Sequence, residues 1–192
     1  MQQTLEQLLK DPGVQIAAEH ARSADERTLE DQAEISRIPA PPFAEEERAR
    51  RMAVLMADAG LDQVRADEIG NVLADLPGVR GGAPLVISAH LDTVFPAEVD
   101  VAVSREGQLL RGPGISDDAR GLAVLLAVAR CLREGDVRCA TPVLFAATVG
   151  EEGLGDLRGV KHLFRRGEGH NAAGFISVDG AGLERLVVRA LA

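Results

Sequence analysis

Three short apolar runs in this chain each lead into acidic or histidine residues. The runs and their polar ends are residues 85–89 with His90 and Asp92, residues 143–149 with Glu151 and Glu152, and residues 175–178 with Asp179. Short apolar, β-branched runs bounded by turn residues are typical of buried strands in a parallel sheet. Ligands bind at the carboxyl ends of such strands. Because buried charges need partners, the pattern predicts a metal site at that edge.

Helical segments are predicted between these strands. An apolar stripe predicts a helix over 119–133, and another predicts a helix over 45–59 that Gly60 ends. The other predicted elements are helical segments before residue 39, with a capping box at 23–26, strands at 64–67, 71–76 and 108–110, and a short helix at 157–166. Strands that alternate with helices predict an α/β fold, a three-layer α/β/α arrangement with a mostly parallel central sheet.

The composition excludes several classes of protein. The chain has 192 residues, which is the length of one domain. Its formal net charge of −9 argues against nucleic-acid binding. No apolar run reaches the roughly 18 residues that span a bilayer. The first residues lack a secretory signal, so a cytoplasmic protein is expected. Cys131 and Cys139 are not spaced as a C-x-x-C pair, which favours free thiols over a disulfide or a zinc–cysteine site.

His90 and Asp92 lie two positions apart after the first strand. Residues i and i+2 of an extended chain point to the same side. A histidine that binds a metal usually gives its other ring N–H to a carboxylate, a carbonyl or water, and Asp92 fits that role. The alternative is a core histidine bonded to a neighbouring aspartate.

Asp117 and Asp118 stand directly before the predicted helix at 119. Either carboxylate is favoured there as a helix cap, which is the alternative to a metal ligand. A phosphate-binding loop at residues 112–114 is disfavoured, because the glycine pattern is incomplete and two carboxylates would repel phosphate.

The segment at 150–153 places Glu151 and Glu152 between glycines. Two carboxylates in one site repel each other unless a cation or a proton lies between them. Successive residues face opposite ways, so one can bind metal while the other accepts a proton from water. The alternatives are a solvated acidic turn here and a simple Asp-Gly turn at Asp179.

Taken together, these segments resemble the co-catalytic zinc metallopeptidases that include aminoacylase, carboxypeptidase G, peptidase T and succinyl-diaminopimelate desuccinylase. The matching segments are SAHLDT at 88–93, GPGISDDARG at 112–121, GEEG at 150–153 and SVDG at 177–180, with DEIGNV at 67–72 upstream. The resemblance runs from about residue 35 to the end of the sequence.

The resemblance implies a role for each residue. His90 and Asp179 would bind a first zinc, and Glu152 a second. Asp117 would bridge the two through a cis peptide bond to Asp118, while Asp92 would orient His90. Glu151 would be the general base. Cobalt or manganese could substitute for zinc, and the substrate would be a small peptide or an N-acyl amino acid.

The chain departs from the family in two respects. It lacks the inserted lid or dimerisation domain, and it lacks the C-terminal segment with a late histidine that completes the second zinc site. His20, His162 and His170 are predicted to lie on a polar helix, on a solvated helix face and at the opposite sheet edge, respectively. Residues 1–182 are therefore interpreted as the N-terminal part of a catalytic domain, and 183–192 as the start of a lid-domain strand.

Three hypotheses follow. The first is a zinc-dependent peptidase or amidohydrolase with little or no turnover as this chain alone. The second is a non-catalytic descendant that binds metal or a partner, and the third is an α/β binding module whose acidic loops are incidental. The exposed sheet edge left by a missing segment would favour self-association or pairing with that segment.

Overall fold

The computed structural model describes residues 5–180, which form six α-helices and seven strands. The helices are α1 Leu5–Leu8, α2 Pro12–Ser23, α3 Asp25–Ser36, α4 Glu46–Asp58, α5 Ala119–Glu134 and α6 Arg158–Arg165. The strands are β1 Asp62–Ala66, β2 Val72–Leu76, β3 Leu85–His90, β4 Ser104–Glu106, β5 Leu109–Arg111, β6 Val143–Thr148 and β7 Gly174–Ser177. The predicted strand at 183–192 lies outside the described residues.

Five strands form the central sheet, in the order β1-β2-β6-β3-β7. β3 pairs in parallel with β6 and β7, whereas β2 is antiparallel to both of its neighbours. Four of the five strands therefore run in one direction. The two remaining strands, β4 and β5, form a separate antiparallel hairpin, of which the sequence predicted only the second strand.

Helices cover both faces of the sheet, as the three-layer prediction requires. On one face α4 and α5 pack their buried side chains, among them Met52 and Leu126, against Phe145. On the other face Leu163 of α6 packs against Leu144. Adjacent residues of β6 thus point into different layers, which follows from the two-residue period of a strand.

β7 differs from the prediction, because it is not a buried strand. Phe175 and Ile176 are 43% and 46% exposed, and within residues 5–180 β7 pairs only with β3. An apolar run is equally compatible with a central strand and an edge strand, since periodicity does not report the position of a strand in the sheet.

The predicted capping box at 23–26 is also wrong. Ser23 is the last residue of α2, and its hydroxyl donates to the His20 carbonyl oxygen at 3.1 Å. α3 begins at Asp25 without a side-chain cap. Because only Ala24 separates the two helices, the Ser23 hydroxyl bonds within the last turn of α2 and does not cap α3.

Two predictions from composition can be compared with the structure. Cys131 and Cys139 are both free, as expected. Among the helices of residues 5–180, none combines the length and the apolar character needed to cross a bilayer.

Candidate metal centre

The parallel register of three strands brings the predicted site residues to one edge of the sheet. His90 lies opposite Thr148, the last residue of β6, and Ser88 lies opposite Ser177, the last residue of β7. The segments that carry His90, the glutamate pair and Asp179 therefore leave the sheet side by side. α5 begins at the same edge, because His90 donates its backbone N–H to Asp118 at 2.9 Å.

His90, Asp117 and Glu152 form a compact cluster at this edge. One ligand atom from each residue lies within 4.8 Å of those of the other two. His90 Nε2 is 2.8 Å from Asp117 Oδ1, and the Asp117 side chain is 55% exposed. The cluster is the one group of this kind within residues 5–180. Its imidazole is buried while one carboxylate remains open to solvent, so an ion or substrate can reach it.

The peptide bond between Asp117 and Asp118 is cis, as the resemblance implied. The two aspartates have different roles in the structure. Asp117 contacts His90 Nε2, whereas Asp118 caps α5 by accepting from the Gly121 N–H at 2.9 Å. The helix-cap alternative is therefore correct for Asp118 and does not describe Asp117.

Asp179 lies near the cluster without being one of its three members. Its negative charge acts to raise the pKa of His90, Asp118 and both glutamates. Asp179 itself is exposed. The structure therefore brings it into the electrostatic neighbourhood of the site, and its predicted role as a ligand stays a prediction.

The ring of His90 is surrounded by carboxylates. Burial alone would lower the pKa of His90, but its hydrogen bond with Asp92 and the charges of Asp118, Asp92 and Asp179 raise it to about 10. Its Nδ1 is 3.0 Å from the Asp92 carbonyl oxygen and 3.6 Å from the Asp92 carboxylate. Nδ1 therefore lies closer to the backbone oxygen of Asp92 than to its carboxylate, and both groups lie beside the ring.

The carboxylate of Asp92 has a different task. Its two oxygens accept the backbone N–H groups of Glu151 and Glu152 at 2.9 and 2.8 Å. Burial opposes ionisation, but the bonds with His90 and these two amides hold the pKa of Asp92 below its usual value. Asp92 therefore fixes the glutamate-bearing loop to the histidine-bearing strand.

Both glutamates have raised pKa values. For Glu151 the main cause is burial, with the neighbouring charges of Glu152 and Asp179 adding to it. For Glu152 burial is again the largest cause, followed by the charge of Asp117. Each carboxylate thus lies in a site that favours the uptake of positive charge, whether as a proton or as a cation.

The residues of the cluster fit a divalent metal ion. One imidazole and several carboxylates are nitrogen and oxygen ligands that suit zinc, cobalt or manganese. The carboxylates around His90 also repel one another unless positive charge lies between them. A metal would relieve the same repulsion.

Two further charged residues, Asp118 and Arg48, support the site, and of these Arg48 was not predicted from the sequence. Asp118 is buried, and burial raises its pKa to about 8 despite its bonds to the His90 and Gly121 amides.

Arg48 on α4 is also buried and donates to the carbonyl oxygens of Ile38 and Leu91. Burial lowers its pKa to about 10, while the charges of Asp92 and Asp118 act in the opposite direction. The sequence of α4 does not indicate that Arg48 is buried, because a charged side chain on a helix is normally expected on the solvent-facing side.

The other histidines do not join the cluster. His20 lies on α2, and His170 precedes β7, at the edge opposite to His90. The prediction for His162 was wrong, because its side chain is only 11% exposed and lies 3.8 Å from Asp67 and 3.6 Å from Glu68. α6 turns this histidine toward the loop between β1 and β2, a contact that its basic neighbours in sequence do not indicate.

Comparison with protein families gives one match that covers more than half of the chain. Residues 71–188 match the sequence pattern of Peptidase family M28. The matched region contains the three clustered residues together with Asp92, Glu151 and Asp179.

Individual proteins with similar sequences and structures are longer than this chain. The uncharacterized protein YqjE of Bacillus subtilis is 27% identical over 141 residues, which cover 67% of this chain and 37% of YqjE. Carboxypeptidase G2 of a Pseudomonas species is 37% identical over 70 residues, 35% of this chain and 17% of that protein. Aminopeptidase PepT of Bacillus cereus superimposes with a TM-score of 0.68 at 26% identity, covering 82% of this chain and 44% of that one. The chain therefore spans less than half the length of each.

Proposed function

This chain belongs to Peptidase family M28, and from that premise we propose that it acts as a metal-dependent hydrolase of amide bonds in small peptides or N-acyl amino acids. The observation that carries the proposal is the cluster of His90, Asp117 and Glu152, whose ligand atoms lie within 4.8 Å of one another. The similarity to an aminopeptidase and to a carboxypeptidase supports an exopeptidase type of activity.

We assign the ligands as the resemblance implies. His90 and Asp179 would hold a first ion and Glu152 a second, and Asp117 would be shared between them. Zinc is the proposed metal, with cobalt or manganese as substitutes. When bound, such ions activate water and polarise the scissile carbonyl.

Glu151 is the proposed general base. Its carboxylate has a raised pKa because it is partly buried among other acidic groups, and a stronger base accepts a proton from water more readily. Glu151 then donates this proton to the leaving amine. Asp92 acts by holding His90 and the amides of the glutamate loop in place.

The proposal includes limited activity for this chain alone. Within residues 5–180 the second ion has only Asp117 and Glu152 as ligands, and the remaining histidines lie elsewhere. We therefore expect residues 1–192 by themselves to show little or no turnover. We also propose residues 1–182 as the N-terminal part of the catalytic domain, in a cytoplasmic protein with reduced thiols.

Metal analysis combined with a hydrolysis assay tests this function. Dipeptides and N-acyl amino acids are incubated with the protein and added zinc or cobalt. We expect metal to co-purify or to bind on titration, and any hydrolysis to disappear in Glu151→Gln while metal binding persists. Hydrolysis that survives Glu151→Gln contradicts the general-base assignment.

The same measurements separate the alternatives. If the reading frame extends beyond residue 192, metal binding without hydrolysis by the extended protein favours a non-catalytic descendant that binds metal or a partner. A protein that binds no divalent metal is an α/β module whose acidic loops are incidental, and that result rejects the proposed function.

A further inference from the structure

The loop after β6 is held in an unusual way. The backbone N–H groups of four successive residues, 149–152, are each accepted by a side-chain oxygen. These acceptors are Asn71 Oδ1 at 3.0 Å from Val149 N, Glu45 Oε1 at 3.0 Å from Gly150 N, and the Asp92 oxygens at 2.9 and 2.8 Å from Glu151 N and Glu152 N. Buried amides need acceptors, and here they come from three separate parts of the chain.

Glu45 and Asn71 take no part in the metal cluster. Glu45 precedes α4 and Asn71 precedes β2, and both residues are buried, at 2% and 0% exposure. Neither has a role in the chemistry proposed above. Within residues 5–180, the hydrogen bonds that join them to the loop of Glu151 and Glu152 go to the amides of Val149 and Gly150.

The buried charge of Glu45 has a specific partner. Arg158, the first residue of α6, donates from Nη2 to both Glu45 oxygens at 2.7 Å. Its guanidinium carbon also lies 5.0 Å from the centre of the Phe43 ring. Because charge-assisted hydrogen bonds are short and geometrically specific, Arg158 holds the buried Glu45 carboxylate so that Oε1 faces the Gly150 amide.

Asn71 is fixed by its own hydrogen bonds. Its Nδ2 donates to Asp67 Oδ2 at 2.7 Å and to the Gly159 carbonyl oxygen at 3.1 Å. These two acceptors determine which end of the amide carries the oxygen. That oxygen therefore has to point at Val149.

The loop is also held from its other side and leaves no room to shift. The carbonyl oxygens of Val149 and Gly150 accept from the N–H groups of Gly159 and Arg158 at 2.9 and 3.1 Å. A Cβ atom at Gly150 would lie 2.6 Å from the Arg158 side chain. Both peptide groups before Glu151 are thus restrained on the donor side and on the acceptor side.

From this geometry we infer that Glu45, fixed by Arg158, and Asn71 are positioning residues, which orient the peptides of Val149 and Gly150 so that Glu151 and Glu152 reach the metal centre. The inference rests on the proposed function of the two glutamates. A residue that holds a ligand in place affects metal binding without touching the metal.

The test compares Glu45→Ala and Glu45→Gln with Asp31→Asn. Asp31 is a matched control, because it is also a buried carboxylate in an ion pair, with Arg130, but joins α3 to α5. Three properties are measured for the whole chain: thermal stability, Co²⁺ affinity by isothermal titration calorimetry, and amide hydrogen exchange of residues 149–152.

We expect Glu45→Ala to weaken Co²⁺ binding by about tenfold or more and to speed exchange of the Gly150 and Glu151 amides. Glu45→Gln keeps an acceptor for the Gly150 amide and should therefore retain part of the Co²⁺ affinity and part of the protection of these amides from exchange. Asp31→Asn should lower stability and leave Co²⁺ affinity and these amides unchanged.

The outcomes separate this inference from the proposed function. If Glu45→Ala binds Co²⁺ as tightly as Asp31→Asn and its loop amides stay protected, the positioning role is overturned while the hydrolase proposal stands. If the unmodified chain binds no Co²⁺, the hydrolase proposal fails, and with it the positioning of metal ligands by Glu45.

Discussion

A single carboxylate, Asp118, connects the strand that carries His90 to the helix that follows Asp117. One oxygen accepts the His90 N–H and the other accepts the Gly121 N–H, both at 2.9 Å. Because Asp117 is the preceding residue, the same contact fixes the distance between the histidine and the predicted bridging aspartate. Asp118 therefore shapes the site without facing the three clustered ligand atoms.

Replacing Asp118 should destabilise the protein in a graded manner. Asp118→Ala leaves two buried amides without an acceptor, at about 1–3 kcal/mol each, so we expect a loss of about 2–6 kcal/mol in the free energy of unfolding. Asp118→Asn retains one acceptor oxygen and should lose about half as much. Urea denaturation measures both, and an Asp118→Asn variant as stable as the unmodified protein would argue against the role of the second oxygen.

At the level of elements, α5 approaches the end of β7 closely at one glycine. A Cβ atom on Gly121 would lie 2.5 Å from the Val178 carbonyl oxygen and 2.1 Å from the Asp118 carboxylate. Glycine inside a helix normally costs stability relative to alanine. Its presence in α5 is explained by this approach, which brings the start of the helix to the sheet edge beside Asp179.

We therefore expect Gly121→Ala to destabilise the protein, although replacing glycine with alanine inside a helix normally stabilises it. The loss should be about 1–3 kcal/mol, the typical cost of overpacking. Ala127→Gly on the same helix is the control and should lose about 1 kcal/mol, as helix propensity requires. Thermal or urea unfolding of both variants checks this, and a stabilised Gly121→Ala would show that the helix can move away from Val178.

At the scale of the whole molecule, the candidate site joins segments that are far apart in sequence. His90 follows β3, Asp117 precedes α5 and Glu152 follows β6. Any ion held by all three links two strands of the central sheet to a helix of the layer above them. Metal binding to the folded state alone should therefore stabilise the entire domain.

Zinc should raise the melting temperature of this protein. A zinc concentration 100-fold above Kd adds about 2.7 kcal/mol, which for a chain of this size corresponds to a rise of roughly 5–10 °C. Chelation with EDTA should reverse the rise. His90→Ala, measured with and without zinc, should show a much smaller difference, and an equal rise in that variant would place the bound zinc elsewhere.

Much of the fold and of the site follows from local sequence patterns. The helix at 119–134 and the strands at 85–90 and 143–148 have strong apolar periodicity, and each was predicted within one or two residues. The parallel register then follows from the alternation of strands and helices. Since strand ends meet at one edge, His90 and the two glutamates could be expected to lie close together.

Other features depend on contacts that no local pattern reports. Glu45 meets Gly150 across 105 positions and Arg158 across 113, and the exposure of β7 depends on which strand lies beside it. Arg48 and His162 have the polarity of surface residues, yet the packing of their helices buries Arg48 and leaves His162 half-buried. Side-chain type and periodicity set which segments become helices and strands, because these are interactions between near neighbours. Which polar groups satisfy one another inside the fold is decided only when distant segments pack, because each buried donor takes the acceptor that packing brings to it.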